Sequence, residues 1–306
     1  MEKVLNSELF RRVELDRAES ETVVRPSMSY FQDAWRRLKK NRIAMLSMCF
    51  LVFIALMCVF GPMIYGVDFE AQDSIHANAL PSAEHWFGLD DLGRDIFVRI
   101  WVGGRVSLTI GLVGAVISLV IGIIYGGISG YFGGIVDDIM MRIVEVLVSI
   151  PYMIVVILMG IALGKGMVSL LVALCLTSWT GLARLVRGQV IALKSSEYVL
   201  AAKALGTSDF KIIRKHLFPN MLSLIIINTT FSVPGFIFSE AFLSFVGLGI
   251  QAPATSWGAM ASSGQQQMMY YPHELLFPAI AISLTMLAFN LLGDGLRDAF
   301  DPKLRQ

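Results

Sequence analysis

The sequence is short of charge and short of cysteine. Only 16% of its 306 residues are Asp, Glu, Lys or Arg, where an ordinary soluble domain carries about 25%. The three cysteines, Cys49, Cys58 and Cys175, lie inside apolar runs without CxxC spacing. That excludes a disulfide scaffold and reads them as small hydrophobes. Four histidines, His76, His85, His216 and His273, are scattered, so no metal site is expected. A net charge of +1 gives a nucleic-acid partner no global support. What is abundant is apolar: 55% of residues are hydrophobic and the mean hydropathy is +0.65. A chain this apolar is neither disordered nor an ordinary cytosolic enzyme. The composition is that of an all-α, polytopic membrane protein.

A helix needs roughly 20 apolar residues to cross a bilayer, because no water is present to satisfy loose backbone groups. Six runs qualify: 43–65, 106–127, 139–163, 167–183, 221–248 and 275–293. Lys and Arg set the direction. With the N-terminus in the cytoplasm, 21 of the 25 basic residues fall in residues 1–42, at Arg142, in 184–220 and in 294–306. Both termini are therefore expected on the cytoplasmic side. The first run is longer than a signal-peptide core, and Ala77-Asn78-Ala79 lies well beyond it, so it reads as a retained anchor.

The polar pieces divide into several kinds. Residues 1–28 read as a mobile charged tail. In residues 29–42, Tyr30, Phe31, Trp35 and Leu38 can share a helical face beside Arg36, Arg37, Lys39, Lys40 and Arg42. This fits either an interfacial helix on anionic membrane lipid or a plain positive flank. The outer loop 66–105 holds seven acidic residues against three Arg, and its Asp90-Asp91-Leu92-Gly93-Arg94-Asp95 reads as a glycine turn with local Asp/Arg pairing rather than a Ca²⁺ loop. The second outer loop, 249–274, is rich in Gln, Met and Ser. It either packs on the bundle mouth or receives a protein partner.

Within the runs, Gly114, Ser118, Gly122 and Gly126 recur at every fourth position, with Gly130 just beyond. Small residues at this spacing let helix backbones approach closely, within the chain or between chains. Pro151, Pro234 and Pro278 are expected to kink spans three, five and six. Arg142 and Glu145, three residues apart, read as a local ion pair. Span five is unusually polar, and Asn228, Ser232, Ser239 and Glu240 are expected to line an aqueous path. For Glu240 the alternative is a hydrogen bond to a neighbouring helix.

The basic loop 184–220 is the most informative stretch. From Glu197 the pattern is helical through Ala201, Ala202 and Leu205, breaks at Gly206-Thr207, and restarts at Ser208 or Asp209 before Phe210. The expected product is a projecting helix–turn–helix ending at Pro219. Here the chain resembles the permease subunits of ABC importers, whose Ala-Ala-x-x-x-Gly…Pro motif it matches at Ala201, Ala202, Gly206 and Pro219. Leu200 stands where that family has Glu, and His216 and Phe218 replace its Ile and Leu. His85–Asp95, Gly130–Gly134, Glu240–Gly249, Ser256–Gly258 and Gly293–Lys303 are similar to the C-type subunit of oligopeptide and dipeptide importers, a class that nickel and glutathione importers share.

The resemblance implies a type I ABC importer permease fold with its core over 104–295. It implies that Glu197, Ala201, Ala202, Leu205, Gly206, Thr207, Ser208, Asp209, Phe210 and Pro219 couple the chain to an ATPase. The implied partners are a B-type permease, two ABC ATPase subunits that carry the ATP and Mg²⁺, an extracytoplasmic peptide-binding protein and a peptide substrate. No cofactor and no catalytic residue is expected in this chain: Gly164-Lys165 lacks a P-loop around it, and no hydrolase motif occurs. An ion-coupled secondary transporter is the distant alternative, and it would need internal repeats and buried ion ligands.

Overall fold

The computed structural model describes residues 30–301. The described residues contain eleven α-helices and one π-helical turn: α1 Tyr30–Lys40, α2 Arg42–Tyr65, α3 Ile96–Phe132, α4 Gly134–Ser149, α5 Tyr152–Leu163, α6 Met167–Lys194, α7 Glu197–Ala204, α8 Asp209–Ile212, the π turn Ile213–Leu217, α9 Phe218–Phe245, α10 Trp257–Gln267 and α11 His273–Phe300. The tail reading for 1–28 and the last five residues lie outside the described part. Helices α2, α3, α6, α9 (with α8 and the π turn) and α11 are each long and apolar enough to cross a membrane. The chain is a multi-pass membrane protein.

Several boundaries differ from the apolar runs for one physical reason. Hydropathy marks the lipid-facing length, whereas a helix continues wherever its inward stripe continues. Helix α6 runs to Lys194 and not to Ala183, because Ala183, Val186 and Val190 extend the buried stripe through a polar stretch. Helix α3 begins at Ile96, ten residues before its apolar run, because the Asp95 carboxylate caps it by accepting from the Val98 amide at 3.1 Å.

Span three is a correction. The run 139–163 is not one kinked helix but two, α4 and α5, meeting at 84°. Ile150 and Pro151 both adopt extended backbone, with ψ 123° and 121°. Proline removes an amide donor and pushes its predecessor out of the helical region. Pro234 and Pro278 are buried against neighbours and stay inside α9 and α11. Pro151 is exposed, and no packing holds its chain helical. With 16 and 12 residues, at about 1.5 Å rise per residue, neither half spans roughly 30 Å of hydrocarbon alone.

The bundle is built on the small-residue stripe of α3, and the contact is within the chain. Gly114 faces the Phe236 ring of α9, and Gly122 faces Leu182 of α6. The Ser118 and Ser178 hydroxyls are 2.5 Å apart. A Cβ on Gly126 would stand 2.2 Å from the Ala183 carbonyl oxygen. Gly126→Val is therefore expected to force α3 from α6 and to cost about 1–3 kcal/mol or more, read as a lower melting temperature in detergent. Gly127→Ala is the control, since nothing lies within 4 Å of that position. An unshifted melt for Gly126→Val would reject the close α3/α6 approach.

Helix α1 packs across the ends of α2 and α11. Ala34 and Leu38 are buried with Ala44, Ala299 and Phe300, and the Tyr30 hydroxyl donates to the Phe300 carbonyl at 3.2 Å. The four residues expected on one face are split. Tyr30 and Leu38 turn toward the bundle, whereas Phe31 and Trp35 are exposed among Arg36, Lys39 and Lys40. At 3.6 residues per turn, positions 30, 34 and 38 align, and 31 and 35 fall on the adjoining stripe.

Candidate functional site

The segment between α6 and α9 projects from the end of the bundle that also holds α1. Helix α7 stops at Gly206, whose φ of 77° favours glycine. The Leu205 amide donates to Ala201 O at 3.0 Å, the Gly206 amide to Lys203 O at 3.0 Å and the Thr207 amide to Ala202 O at 3.1 Å. These bonds satisfy the carbonyls that a helix end leaves open. Ser208, with extended backbone, starts α8. The helix–turn–helix expected from Ala201, Ala202 and Gly206 is present with these ends.

Its two surfaces are unlike. Val199, Ile212 and Leu217 are buried in one cluster with Tyr131, Val186, Val190, Met221 and Ile225. On the other side, Leu205 is 86% and Phe210 73% exposed, with Glu197, Ala201 and Ser208 exposed beside them. Burying a Leu or Phe side chain stabilises by about 1.5–3 kcal/mol, and the tip leaves that burial unused at both residues. Pro219 sits in the first turn of α9, where its missing amide costs no helical bond.

The tip is tied to the bundle by polar bonds that sequence reading missed. The Tyr131 hydroxyl, at the end of α3, donates to Asp209 Oδ1 at 2.5 Å. The Lys194 ammonium, at the end of α6, donates to the Tyr131 carbonyl and lies 5.5 Å from the Tyr131 ring centroid. About two turns back along α6, Arg187 Nε and Nη2 both donate to the Asp137 carboxylate at 2.5 Å, and the Ser129 hydroxyl donates to the same group. Asp137 is buried. This clasp joins α4 to α6, while Gly133 and Gly134, with φ of 67° and 54°, join α4 to α3. The expected Arg142–Glu145 pair also forms, at 2.7 Å.

A groove of about 560 Å³ opens between α6 and α9, walled by Ser178, Ser232, Phe236, Phe238, Ser239 and Phe242 among others. It adjoins a narrower recess of about 240 Å³ that takes in Ser118, Ser178, Asn228, Thr229 and Ser232. Helix α9 satisfies its own polar groups: Asn228 Nδ2 donates to Leu224 O, Thr229 Oγ1 to Ile225 O and Ser232 Oγ to Asn228 O, each at 2.8 Å. Their remaining lone pairs give the wall a polar, uncharged character.

Of the residues expected to share a lining, Ser239 walls the groove, Asn228 the recess and Ser232 both. Glu240 lines neither. Its side chain is fully buried, accepting from Ser107 Oγ and Ser244 Oγ at 2.8 Å each. Ser107 Oγ in turn accepts from the Trp257 amide at 3.2 Å, and the Trp257 indole donates to Ile100 O at 2.8 Å. The second outer-loop segment thus packs on the bundle mouth through α10, pinned to α3 and α9. At 100° per residue, Ser239 and Glu240 leave α9 in different directions, and the hydroxyls of Ser107 on α3 and Ser244 on α9 capture the second.

The 66–95 segment closes the same end. The Asp90 carboxylate accepts from the Leu92 amide at 3.0 Å, the Arg94 amide at 2.9 Å and Arg94 Nε at 2.8 Å. Asp95 caps α3 and also meets His85 Nδ1 at 2.9 Å. The Asp/Gly/Arg run is a turn followed by a helix cap.

The family model described as "Binding-protein-dependent transport system inner membrane component" matches residues 92–306. A second, "N-terminal TM domain of oligopeptide transport permease C", matches residues 29–81. The dipeptide transport system permease protein DppC of Bacillus subtilis (strain 168) is 52% identical over 289 residues, 94% of this chain and 90% of that one. The chain belongs to the family of binding-protein-dependent transport system inner membrane components. The oligopeptide permease protein OppC of the same organism is 46% identical over 97% of this chain and 98% of its own length. The glutathione permease protein GsiD of Escherichia coli O1:K1 / APEC is 40% identical over 90% of this chain and 91% of its own. Among solved structures, an inward-facing MetNI methionine ABC transporter shares the fold, at TM-score 0.54 and 20% identity, over 66% of this permease and 97% of that chain.

Proposed function

We propose that this permease forms one half of the path by which an ATP-driven importer carries peptides inward. In this reading a B-type permease supplies the other half. Two ATPase subunits bind beneath the two permeases, one of them on the 197–210 tip, and an extracytoplasmic binding protein delivers peptide to the end closed by 66–95 and α10. Both termini lie on the cytoplasmic side, in line with the placement of Lys and Arg. Helix α1 then rests at the inner headgroup layer, with Phe31 and Trp35 toward lipid and Arg36, Lys39 and Lys40 toward anionic headgroups.

One observation carries the reading. The α8 half of the exposed tip, which carries Phe210, is continuous through the π turn with α9, which walls the groove, and is bonded to α3 through Asp209. A push on Leu205 and Phe210 moves the groove wall without first unfolding a loop. Closure of the ATPases on ATP would shift the tip, tilt α9 against α6 and change the side to which the groove opens, and hydrolysis would reset it. The nucleotide chemistry belongs to the ATPase subunits, and this chain contributes mechanics.

A wall of serine, threonine and phenylalanine offers hydrogen bonds and apolar contact without formal charge. It can pass side chains of either sign, which suits peptides of varied sequence, including a glutathione-like tripeptide. Selectivity then resides in the binding protein.

The test is Leu205→Cys in the assembled complex with a cysteine introduced on the ATPase cleft. Cross-linking is expected, with a yield that changes several-fold on adding ATP. No cross-link in a complex that still transports would overturn the docking assignment.

A further inference from the structure

Beside the apolar tip, and sharing Phe210 with it, lies a second surface whose charged residues the lever mechanism does not use. Phe210, Lys211, Arg214, Lys215 and Pro219 line a groove of about 620 Å³. Lys211, Arg214 and Lys215 stand at i, i+3 and i+4, so their heads gather on one side of α8 and the π turn. All three are exposed, and no ion pair joins them to an acidic side chain of the described residues. Asp209, the acidic residue next to them, is turned away onto Tyr131. The groove is an uncompensated cationic cleft with an exposed aromatic ring on its rim.

The rim identifies the occupant. Phe210 belongs both to this groove and to the apolar tip, so whatever covers the tip also lies over the cleft. Apolar burial gives affinity without fixing register, whereas a charged cluster beside it fixes register and speeds encounter. We propose that this groove is the electrostatic half of the ATPase docking site. It receives a cluster of Asp or Glu carboxylates on the rim of the ATPase surface that covers Leu205 and Phe210. The inference rests on the coupling reading above and adds the chemistry of the partner face.

The experiment uses the assembled permease–ATPase complex in nanodiscs of neutral phosphatidylcholine, and in discs containing anionic phosphatidylglycerol. The dissociation constant of the ATPase subunits is measured against NaCl. Going from about 0.05 M to about 0.5 M salt shortens the screening length from roughly 14 Å to roughly 4 Å. The wild-type complex is expected to weaken about 10-fold or more over that range. The variant Lys211→Gln/Arg214→Gln/Lys215→Gln is expected to bind about 10-fold more weakly at low salt and to lose most of the salt slope, equally in both lipids. Phe210→Ala should weaken binding yet keep the slope, which separates charge from apolar contact. Because all these side chains are exposed, unchanged melting temperatures are the folding check.

A triple variant with wild-type affinity and slope would overturn the proposal. So would a loss confined to anionic discs, which would assign the groove to lipid headgroups. The Leu205→Cys cross-link is run on the same preparations. If it forms while the triple variant binds normally, only the groove assignment fails. If it does not form, the coupling reading fails.

Discussion

Arg187→Ala is expected to lower the stability of the permease by about 2–4 kcal/mol, because it leaves the buried Asp137 carboxylate with the Ser129 hydroxyl as its remaining side-chain donor. The upper part of the usual range for breaking a buried pair is not reached, since the Arg187 side chain is 35% exposed and water screens part of the interaction. Asp137→Ala on the Arg187→Ala background should recover part of the loss, because the stranded charge is gone; a double-mutant cycle isolates that coupling. The functional expectation is more specific than weakening. Helix α4 is joined to α3 through two glycines with positive φ and ends at the exposed Pro151 break. The Asp137–Arg187 clasp is the polar tie of α4 to α6, set beside the buried contact of Val144 with Trp179 and Ala183. Without the clasp, ATP hydrolysis should continue while solute moved per ATP falls, in paired hydrolysis and uptake measurements on one proteoliposome preparation. A variant that melts with the wild type and transports with the same stoichiometry would show that α4 needs no such tie.

Glu240→Ala is expected to cost a similar amount, about 2–4 kcal/mol, for a different reason. It empties a fully buried volume and removes the acceptor from the Ser107 and Ser244 hydroxyls. Because Ser107 also holds the Trp257 amide, the loss should loosen α10 from α3 and appear as faster proteolysis of the 249–272 region. Glu240→Gln keeps one acceptor oxygen and should be the milder change. The same position separates a packing role from a transport role. In a cysteine-free background, Ser232→Cys and Ser239→Cys should react with a water-soluble thiol reagent, and Glu240→Cys should stay protected. Labelling at 240 as fast as at 239 would place Glu240 on the groove side and reject the sealed arrangement.

Much of this molecule was readable before any coordinates. The break at Gly206 and the restart at Ser208 are local chemistry: one residue tolerates positive φ and the other takes the extended backbone from which a helix starts. The stripe Gly114, Ser118, Gly122, Gly126 declares a close helix contact by its spacing alone. Span five was recognisably polar, and Asn228, Ser232 and Ser239 do face a groove. The Asp/Gly/Arg run was recognisable as a turn because its partners lie within a few residues.

What was not readable lies between helices. Asp137 and Arg187 are 50 residues apart, Tyr131 and Asp209 are 78 apart, and Ser107 and Glu240 are 133 apart. Each pair depends on the rotation and register of two helices about their axes. A hydropathy period sets the width of a buried stripe but not which residue of a neighbour it meets. The outcome at each proline was set in the same way, by whether neighbours pack against the chain there.

The sequence alone determined the number of apolar runs, the asymmetry of their basic flanks and the turn chemistry of the tip, since each depends on residues close together along the chain. Tertiary packing decided that run three breaks at Pro151, that Glu240 is sealed and Ser239 is not, and that the tip is bonded to α3 and α6, since helix rotation and burial belong to the assembled bundle and to no single segment of it.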